Sequence, residues 1–171
     1  MIKIRNDNIE DAEKIYQLIK QAFESAEHSD GNEHILAAEL RNGSSLIPQL
    51  SLVAELNNQI VGCVMFSKIH INGYEEAALA PLAVLPEYQF QGIGSALVAQ
   101  GHKIAKQLGY HYSIVLGDPQ YYSRFGYVSA SVYNIKAPFK ADDKYFMALK
   151  LNEDKSNNIE GIVAYPKEFG I

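Results

Sequence analysis

The chain has 171 residues, a net charge of −5, 47% apolar residues and 20% charged ones. That is the size and balance of one soluble domain with a sizeable core, and with no basic cluster it argues against a nucleic-acid partner. No apolar run approaches a membrane span, and the opening MIKIRNDNIEDAEKI has no apolar signal core, so neither membrane insertion nor secretion is expected. The single cysteine, Cys63, cannot form an internal disulfide and sits in an apolar run, where it reads as a small buried hydrophobe. The absence of cysteine pairs fits the cytoplasm.

Ile2 to Arg5 alternates like a short strand. Asp7 or Asn8 can cap a helix with Glu10 and Asp11 in its first turn, and Ile9, Ala12, Ile15, Ile19 and Ala22/Phe23 then recur at helical spacing as its inward face. Ser25 to Asn32 is a polar loop. A second helix spans about Glu33 to Arg41, with Ile35, Leu36 and Leu40 inward and Asn42-Gly43 ending it. Leu50 to Leu56 alternates as a strand, Asn57-Asn58 is a tight turn, and Ile60 to Ile71 is a long strand, apolar enough through Phe66 to be covered on both faces. Asn72-Gly73 is a hairpin signal, and the next strand runs from about Ala77 to Val84, completing an antiparallel meander.

The meander ends in LAVLPEYQFQGIGSAL, residues 82–97, on which the rest of the chain is organised. The apolar run is stopped by Pro86, and after a polar loop Gly92 and Gly94 stand at the mouth of an apolar-periodic segment. This is a strand, a glycine turn and a helix start. A helix start exposes unpaired N–H groups and partial positive charge, and glycines let a phosphate approach the backbone. Ile93, Ala96/Leu97, Gln100, Ile104 and Leu108 give the third helix, capped by Gly109. Tyr110 to Leu116 is a strand, parallel to the preceding one because a helix separates them. Pro119 opens a short fourth helix that Gly126 closes. From Tyr127 on, an irregular β hairpin has Lys144 to Leu151 as its clearest strand. Asn152 to Asn158 is a loop, and Ile159 to Tyr165 a last strand. With no repeat and no linker, residues 1–171 read as one α+β domain.

Three phosphate-loop patterns compete for Gln89-Phe90-Gln91-Gly92-Ile93-Gly94. A Walker loop needs Gly-Lys-Ser/Thr, and neither glycine precedes a lysine. A dinucleotide fingerprint needs a third glycine where this chain has Leu97. The third, Gln-x-x-Gly-x-Gly after a meander, resembles the GNAT superfamily of acyl-CoA-dependent N-acetyltransferases; a helix start with glycines for packing is its plain alternative. Downstream, Leu116-Gly117-Asp118-Pro119 precedes Tyr121-Tyr122-Ser123-Arg124-Phe125-Gly126-Tyr127. Tyr122, Gly126 and Tyr127 match the superfamily's Tyr four residues before a Gly-aromatic pair. The combination is similar to the YhbS-like branch, over most of the chain to about Phe146. Ala80 stands where relatives often have Gly, and Tyr127 replaces the usual Phe.

The resemblance implies a GNAT fold, a mixed and mostly antiparallel central sheet flanked by helices. It implies an acyltransferase moving an acetyl group from acetyl-CoA, used as co-substrate without a metal, to an amine-bearing small molecule or peptide. It implies a pyrophosphate cradle in the backbone of Gln91, Gly92, Ile93, Gly94 and Ser95, with Gln89 and Phe90 leading in. It implies a pantetheine arm along Leu82, Ala83 and Val84, hydrogen-bonded to the backbone of Leu82 and Val84. Pro81 is expected to mark a bulge that opens a slot beside the Tyr110–Leu116 strand, with an N–H near Leu82 serving as oxyanion donor. Tyr122 is the implied general acid, facing Pro81-Leu82.

No base follows. Ala77, Ala78 and Ala80 offer none and could leave room for the acceptor, while Glu76 lies about 20 Å from Leu82 along an extended strand. His70, His111, Glu33 and His34 are further candidates, each with a plain structural alternative. Ser25 to Asp30 is a candidate acidic lip for a cationic amine, and edge strands in the C-terminal half could pair in a homodimer. Two alternatives stay open: a longer acyl-CoA donor, and a non-catalytic acyl-CoA-binding or sensing module.

Overall fold

The computed structural model describes residues 1–27, 29–153 and 159–171. His28 of the acidic stretch and 154–158 of the polar loop lie outside the described residues. The order is β1 (Lys3–Asn6), a tight helical turn (Ile9–Asp11), α1 (Ala12–Phe23), α2 (Glu33–Asn42), β2 (Leu46–Leu56), β3 (Gln59–Ile71) and β4 (Tyr74–Val84). Then come α3 (Ile93–Gln107), β5 (Tyr112–Leu116), α4 (Pro119–Tyr122), β6 (Val128–Ser129), β7 (Ile135–Lys136), β8 (Phe146–Lys150) and β9 (Gly161–Ala164). Strand order is β1-β2-β3-β4-β5-β8-β6, with β9 on β3 and β7 on β9. β4–β5 and β7–β9 are parallel; β1–β2, β2–β3, β3–β9, β5–β8 and β6–β8 are antiparallel. This is the α+β arrangement expected, with its mixed, mostly antiparallel sheet. Two compact units divide the chain, one of Met1–Ser67 with Ala80–Gly101, the other of Lys68–Leu79 with His102–Ile171.

In the first unit, Asn8 caps the turn before α1. Its side chain accepts from the Glu10 amide, and the Asp11 carboxylate accepts from the Asn8 amide in return. The cap puts Ile9 in the turn, ahead of the α-helix, so the helical spacing does not reach it. Ile9 is 88% exposed, against the inward place predicted, and Ile15, Leu18 and Ile19 form the buried stripe. In α2 the buried residues are Ala37 and Leu40. Ile35, predicted inward, lies about 200° round the helix from Ala37 at 3.6 residues per turn and is exposed. Asn57 and Asn58 both adopt the left-handed backbone that the β2–β3 turn requires, with φ of 51° and 64°. Leu52, Val53, Val61, Val64, Phe66 and Leu97 are buried in this unit's core.

In the second unit β5 is the central strand, with Ala77↔Ser113 and Ala78↔Ile114 on one side and Ser113↔Leu149 on the other. Ile69, Ile71, Ile114, Ala148 and Val163 pack together, with Tyr133, Phe139 and Tyr165 against them. Ala77 and Ala78 are fully packed here, so they fill core rather than leaving acceptor space. Leu108, predicted inward, falls beyond the last turn of α3 and is exposed; Gly109, at φ +90°, closes that helix as expected. The β9 strand forms where a last strand was expected.

One buried carboxylate holds the start of β5 to β4. Glu76 is fully buried and accepts from the amides of His111 and Tyr112, both at 2.8 Å, and lies 3.1 Å from His111 Nδ1. Burial raises its pKa, while the two amides pull the other way by favouring the charged form.

Removing Glu76 orphans two amides, each worth about 1–3 kcal/mol when left unpaired in the interior. Glu76→Ala should therefore lower the unfolding free energy by about 2–4 kcal/mol in urea titrations, with Glu76→Gln closer to the parent because an amide oxygen still accepts. Asp11 gives a pH test. Its bidentate hydrogen bonds from Arg5 (2.8 and 3.1 Å) hold its pKa below the ordinary 3.8, so the unfolded chain binds the proton first. The Arg5–Asp11 contribution is complete above that value and is lost as pH falls through the lowered folded-state pKa. Asp11→Asn should flatten the acid limb of a stability-against-pH curve below about pH 4.

Candidate functional site

The strand, turn and helix start at residues 82–95 lie within the first unit. Leu85 donates its amide to Val61 O on β3 (2.9 Å). Alternation along an extended strand then directs the N–H and C=O groups of Leu82 and Val84 to the edge opposite β3. Their side chains are half-buried, whereas Ala83 turns into the core at 3% exposure. The β4–β5 ladder is made at Ala77 and Ala78, ahead of Pro81, so the Leu82–Val84 edge is where a ligand's amides could pair as an added strand. The Ala80–Pro81 peptide is cis, and β4 continues to Val84 while its ladder to β5 stops at Ala78.

Gln89 ties the loop to this strand by donating Nε2 to Val84 O (3.0 Å), and Gln91 Nε2 donates to Glu87 O (3.3 Å). Both side chains shape the turn. Phe90 (φ 62°) and Gly92 (φ 85°) are left-handed, and the space beside Gly92 is open. Phe90 is fully exposed. The i→i−4 bonds of α3 open with Ala96 N to Gly92 O (3.0 Å), leaving the amides of Ile93, Gly94 and Ser95 ahead of them. Ile93 is the buried anchor of this start, at 3% exposure. A Cβ on Gly62 would lie 3.1 Å from both Ile93 Cγ2 and Leu97 Cδ1, and 3.2 Å from Ala83 O. Gly62 thus lets the helix start sit close over β3 and β4. The arrangement offers aimed amides, partial positive charge and an unladdered strand edge, which suits an extended ligand ending in a phosphate.

Tyr122 lies in the second unit, at the end of α4. Asp118 caps that helix by accepting from the Gln120 amide, and Pro119 occupies its first turn. The Tyr122 ring meets Tyr127 edge-to-face at 5.6 Å between centroids and Tyr121 at 5.0 Å. A Cβ on Gly117 would stand 2.5 Å from Tyr122 Cε2, so only glycine admits the ring there. Burial pushes the Tyr122 phenol well above its ordinary 10, keeping it protonated. Tyr121 instead stacks under the Arg124 guanidinium, 4.5 Å from the ring centre.

Of the candidate bases, Glu76 is committed to the β5 amides and His111 is paired with it. Glu33 accepts the Ser29 hydroxyl at 2.6 Å, and His34 packs edge-to-face on Tyr16 at 4.9 Å. His70 is exposed on β3. Asp30 and Glu24 line a cleft of about 370 Å³ with Lys20, Phe23 and His34. Burial raises the Cys63 thiol to about 12, so it is an inert core residue. Among the described residues, no group of three His, Cys, Asp or Glu is arranged to hold a metal, and no helix is long and apolar enough to cross a membrane. Sequence reasoning missed His102 and Ser113, which meet the Tyr127 hydroxyl at 2.8 and 2.7 Å. The signal was Tyr127 itself: a tyrosine in place of phenylalanine in a core position needs polar partners.

Residues 12–127 match the model of the acetyltransferase (GNAT) family. The chain is 33% identical over 162 residues to YhbS of Escherichia coli K12, an uncharacterized N-acetyltransferase, covering 93% of each. The crystal structure of E. coli YhbS, a GNAT family N-acetyltransferase in complex with CoA, superposes with a TM-score of 0.90 at 31% identity, covering 99% of this chain and 92% of that one. A GNAT family acetyltransferase from Brucella melitensis, in complex with acetyl-CoA, gives 0.80 at 33% identity, covering 99% and 98%.

Gly62→Ala should overpack the seat of α3 and cost about 1–3 kcal/mol, read as a lowered urea midpoint with an unchanged m-value. An unchanged midpoint would mean that the contact yields freely and that Gly62 does not set the helix height.

Proposed function

We propose that this chain, which belongs to the acetyltransferase (GNAT) family, is an N-acetyltransferase that passes an acetyl group from acetyl-CoA directly to an amine in a ternary complex. The carrying observation is the pairing, within one unit, of the Leu82–Val84 edge, which no strand pairs and on which Val84 O accepts from Gln89, with the amides of Ile93, Gly94 and Ser95. An extended pantetheine arm suits the first and a pyrophosphate the second. The CoA and acetyl-CoA bound by the two related structures support the same reading.

Acetyl-CoA supplies the activated acetyl group as a thioester. Gly92 keeps the turn open for its pyrophosphate. Gln89 and Gln91 hold the turn's shape, and Phe90, turned out to solvent, leads into it. The Leu82 amide, on the outward edge, is the donor proposed for the carbonyl oxygen, an effect worth about 3 kcal/mol where such donors have been removed in other enzymes. The amine's nitrogen bonds to the acetyl carbon while the carbon–sulfur bond breaks. Tyr122 donates to the departing sulfur. Its pKa lies above that of a thiol, so it serves first as a hydrogen-bond donor, and the proton lost by the amine returns the balance. With Glu76, His111 and Glu33 committed elsewhere, the amine enters neutral, and the proton its nitrogen sheds after attack passes through water to the thiolate, so that the products are the N-acetyl amide and the free thiol. This favours turnover that rises with pH as the acceptor deprotonates.

The test is thiol release from acetyl-CoA with polyamines, amino acids, aminoglycosides and peptides bearing free N-termini or lysines. Turnover of one class is expected. Binding of acetyl-CoA without turnover on any amine would instead favour a sensing module, and faster release from a longer acyl-CoA would reassign the donor. Tyr122→Phe should lower kcat about 100-fold with acetyl-CoA affinity nearly unchanged. Because burial raises the Tyr122 pKa, kcat of the parent should hold through about pH 10 rather than falling as a free phenol ionises. An alkaline fall below that pH, absent in Tyr122→Phe, would place the ionisation on Tyr122 and contradict its raised pKa, whereas the same fall in both proteins would belong to another group.

A further inference from the structure

Among the described residues Tyr127 is the largest fully buried side chain, and its hydroxyl has two partners. His102 Nε2, on α3, lies 2.8 Å from it, and Ser113 Oγ, at the centre of β5, lies 2.7 Å from it. Burial lowers the His102 pKa to about 4, so at neutral pH this is a bond between neutral groups. Packing alone would be served by a phenylalanine, which brings no polar atom that has to be satisfied in the interior. The hydroxyl adds something packing cannot. Apolar contacts let a ring slide in its slot, whereas two hydrogen bonds at the ring's far end fix its position along its axis.

What rests on that ring is Tyr122. The Tyr122 ring stands edge-to-face on Tyr127 with centroids 5.6 Å apart, and its other side is against the backbone of Gly117. Among the described residues no hydrogen bond ties its hydroxyl. The ring is therefore placed by its walls. One wall is main chain, which cannot move without β5. The others are the rings of Tyr121 at 5.0 Å, Tyr127 at 5.6 Å and Phe125 at 6.4 Å between centroids, and Tyr127 is tied at its far end to His102 and Ser113.

We propose that Tyr127 is a positioning residue for acyl transfer: its hydroxyl, tied to His102 and Ser113, fixes one wall of the slot that aims Tyr122. This rests on Tyr122 being the acid, so the experiment separates the two claims. Tyr127→Phe removes the hydroxyl and keeps the ring. In protein carrying tyrosine labelled with ¹³C at the ε positions, the Tyr122 signals are identified by their loss in Tyr122→Phe. The Tyr122 ring-flip rate should rise at least tenfold in Tyr127→Phe, with coenzyme A affinity within twofold of the parent. An unchanged flip rate overturns the proposal, and this reading needs no acceptor. With an amine that turns over, kcat should fall about fivefold in Tyr127→Phe and KM for acetyl-CoA should stay within twofold. In the Tyr122→Phe background the second substitution should cost nothing further, because there is no acid left to aim. Equal losses in both backgrounds would mean that Tyr127 acts independently of Tyr122 and would overturn the proposal. A loss in Tyr122→Phe but none in Tyr127→Phe removes only the positioning role, whereas no loss in Tyr122→Phe removes the acid and this role with it. Ser113→Ala, which cuts one of the two ties, should loosen the ring in the same direction and decides the matter if Tyr127→Phe does not fold.

Discussion

Backbone amides at a helix start have no carbonyls of their own helix to bond, and they serve a ligand only if they are held still. In this protein the holding is done by close approach. Gly62 on β3 carries no side chain where Ile93 and Leu97 come down, so the first turn of α3 rests almost on the sheet. The Gln89 side chain then stitches the intervening loop to Val84 O. Strand edge and helix start become one rigid surface, and the chemistry proposed for it depends on that rigidity more than on any side chain in the loop.

The second unit solves a different problem, that of polar groups in a core. Glu76 and the Tyr127 hydroxyl are both buried, and both are matched. Glu76 completes the pairing of β5 where α3 hands the chain over, and the Tyr127 hydroxyl joins α3 to β5 through His102 and Ser113. Each polar group marks a junction between elements that hydrophobic contact would bring together but would not register.

Much of this was legible in the residues. Paired asparagines and Asn-Gly declared their turns because few residues tolerate left-handed angles. The parallel β4–β5 pair followed from the helix between them. The glycine turn after a meander, with Tyr122 downstream, carried the family. What escaped depends on facts that spacing does not contain. Ile9 fell outside the inward stripe because a cap, set by Asn8 and Asp11, starts the α-helix after it. Ile35 was misplaced because in so short a helix the small Ala37, not the larger isoleucine, meets the neighbouring element. Ala77 and Ala78 suggested space, but small residues also mark tight packing, and only their neighbours decide which. Glu76 was set aside on distance, whereas the stronger reason is that its oxygens are engaged. The partners of Tyr127 come from 25 and 14 residues away, beyond any local pattern.

The seating of α3 on Gly62 has an evolutionary corollary. In the proposed cradle the main chain presents the face offered to a phosphate, so a change of side chain at Ser95 would leave the offered amides in place, whereas Ile93 is buried under the helix start and Gln91 braces the turn through Glu87 O. Gly62 sits a strand away and presents nothing to a ligand, yet a side chain there would press on Ile93 and Leu97 at the seat of the helix. Part of the constraint on the proposed cradle thus falls on a glycine that would itself touch no ligand.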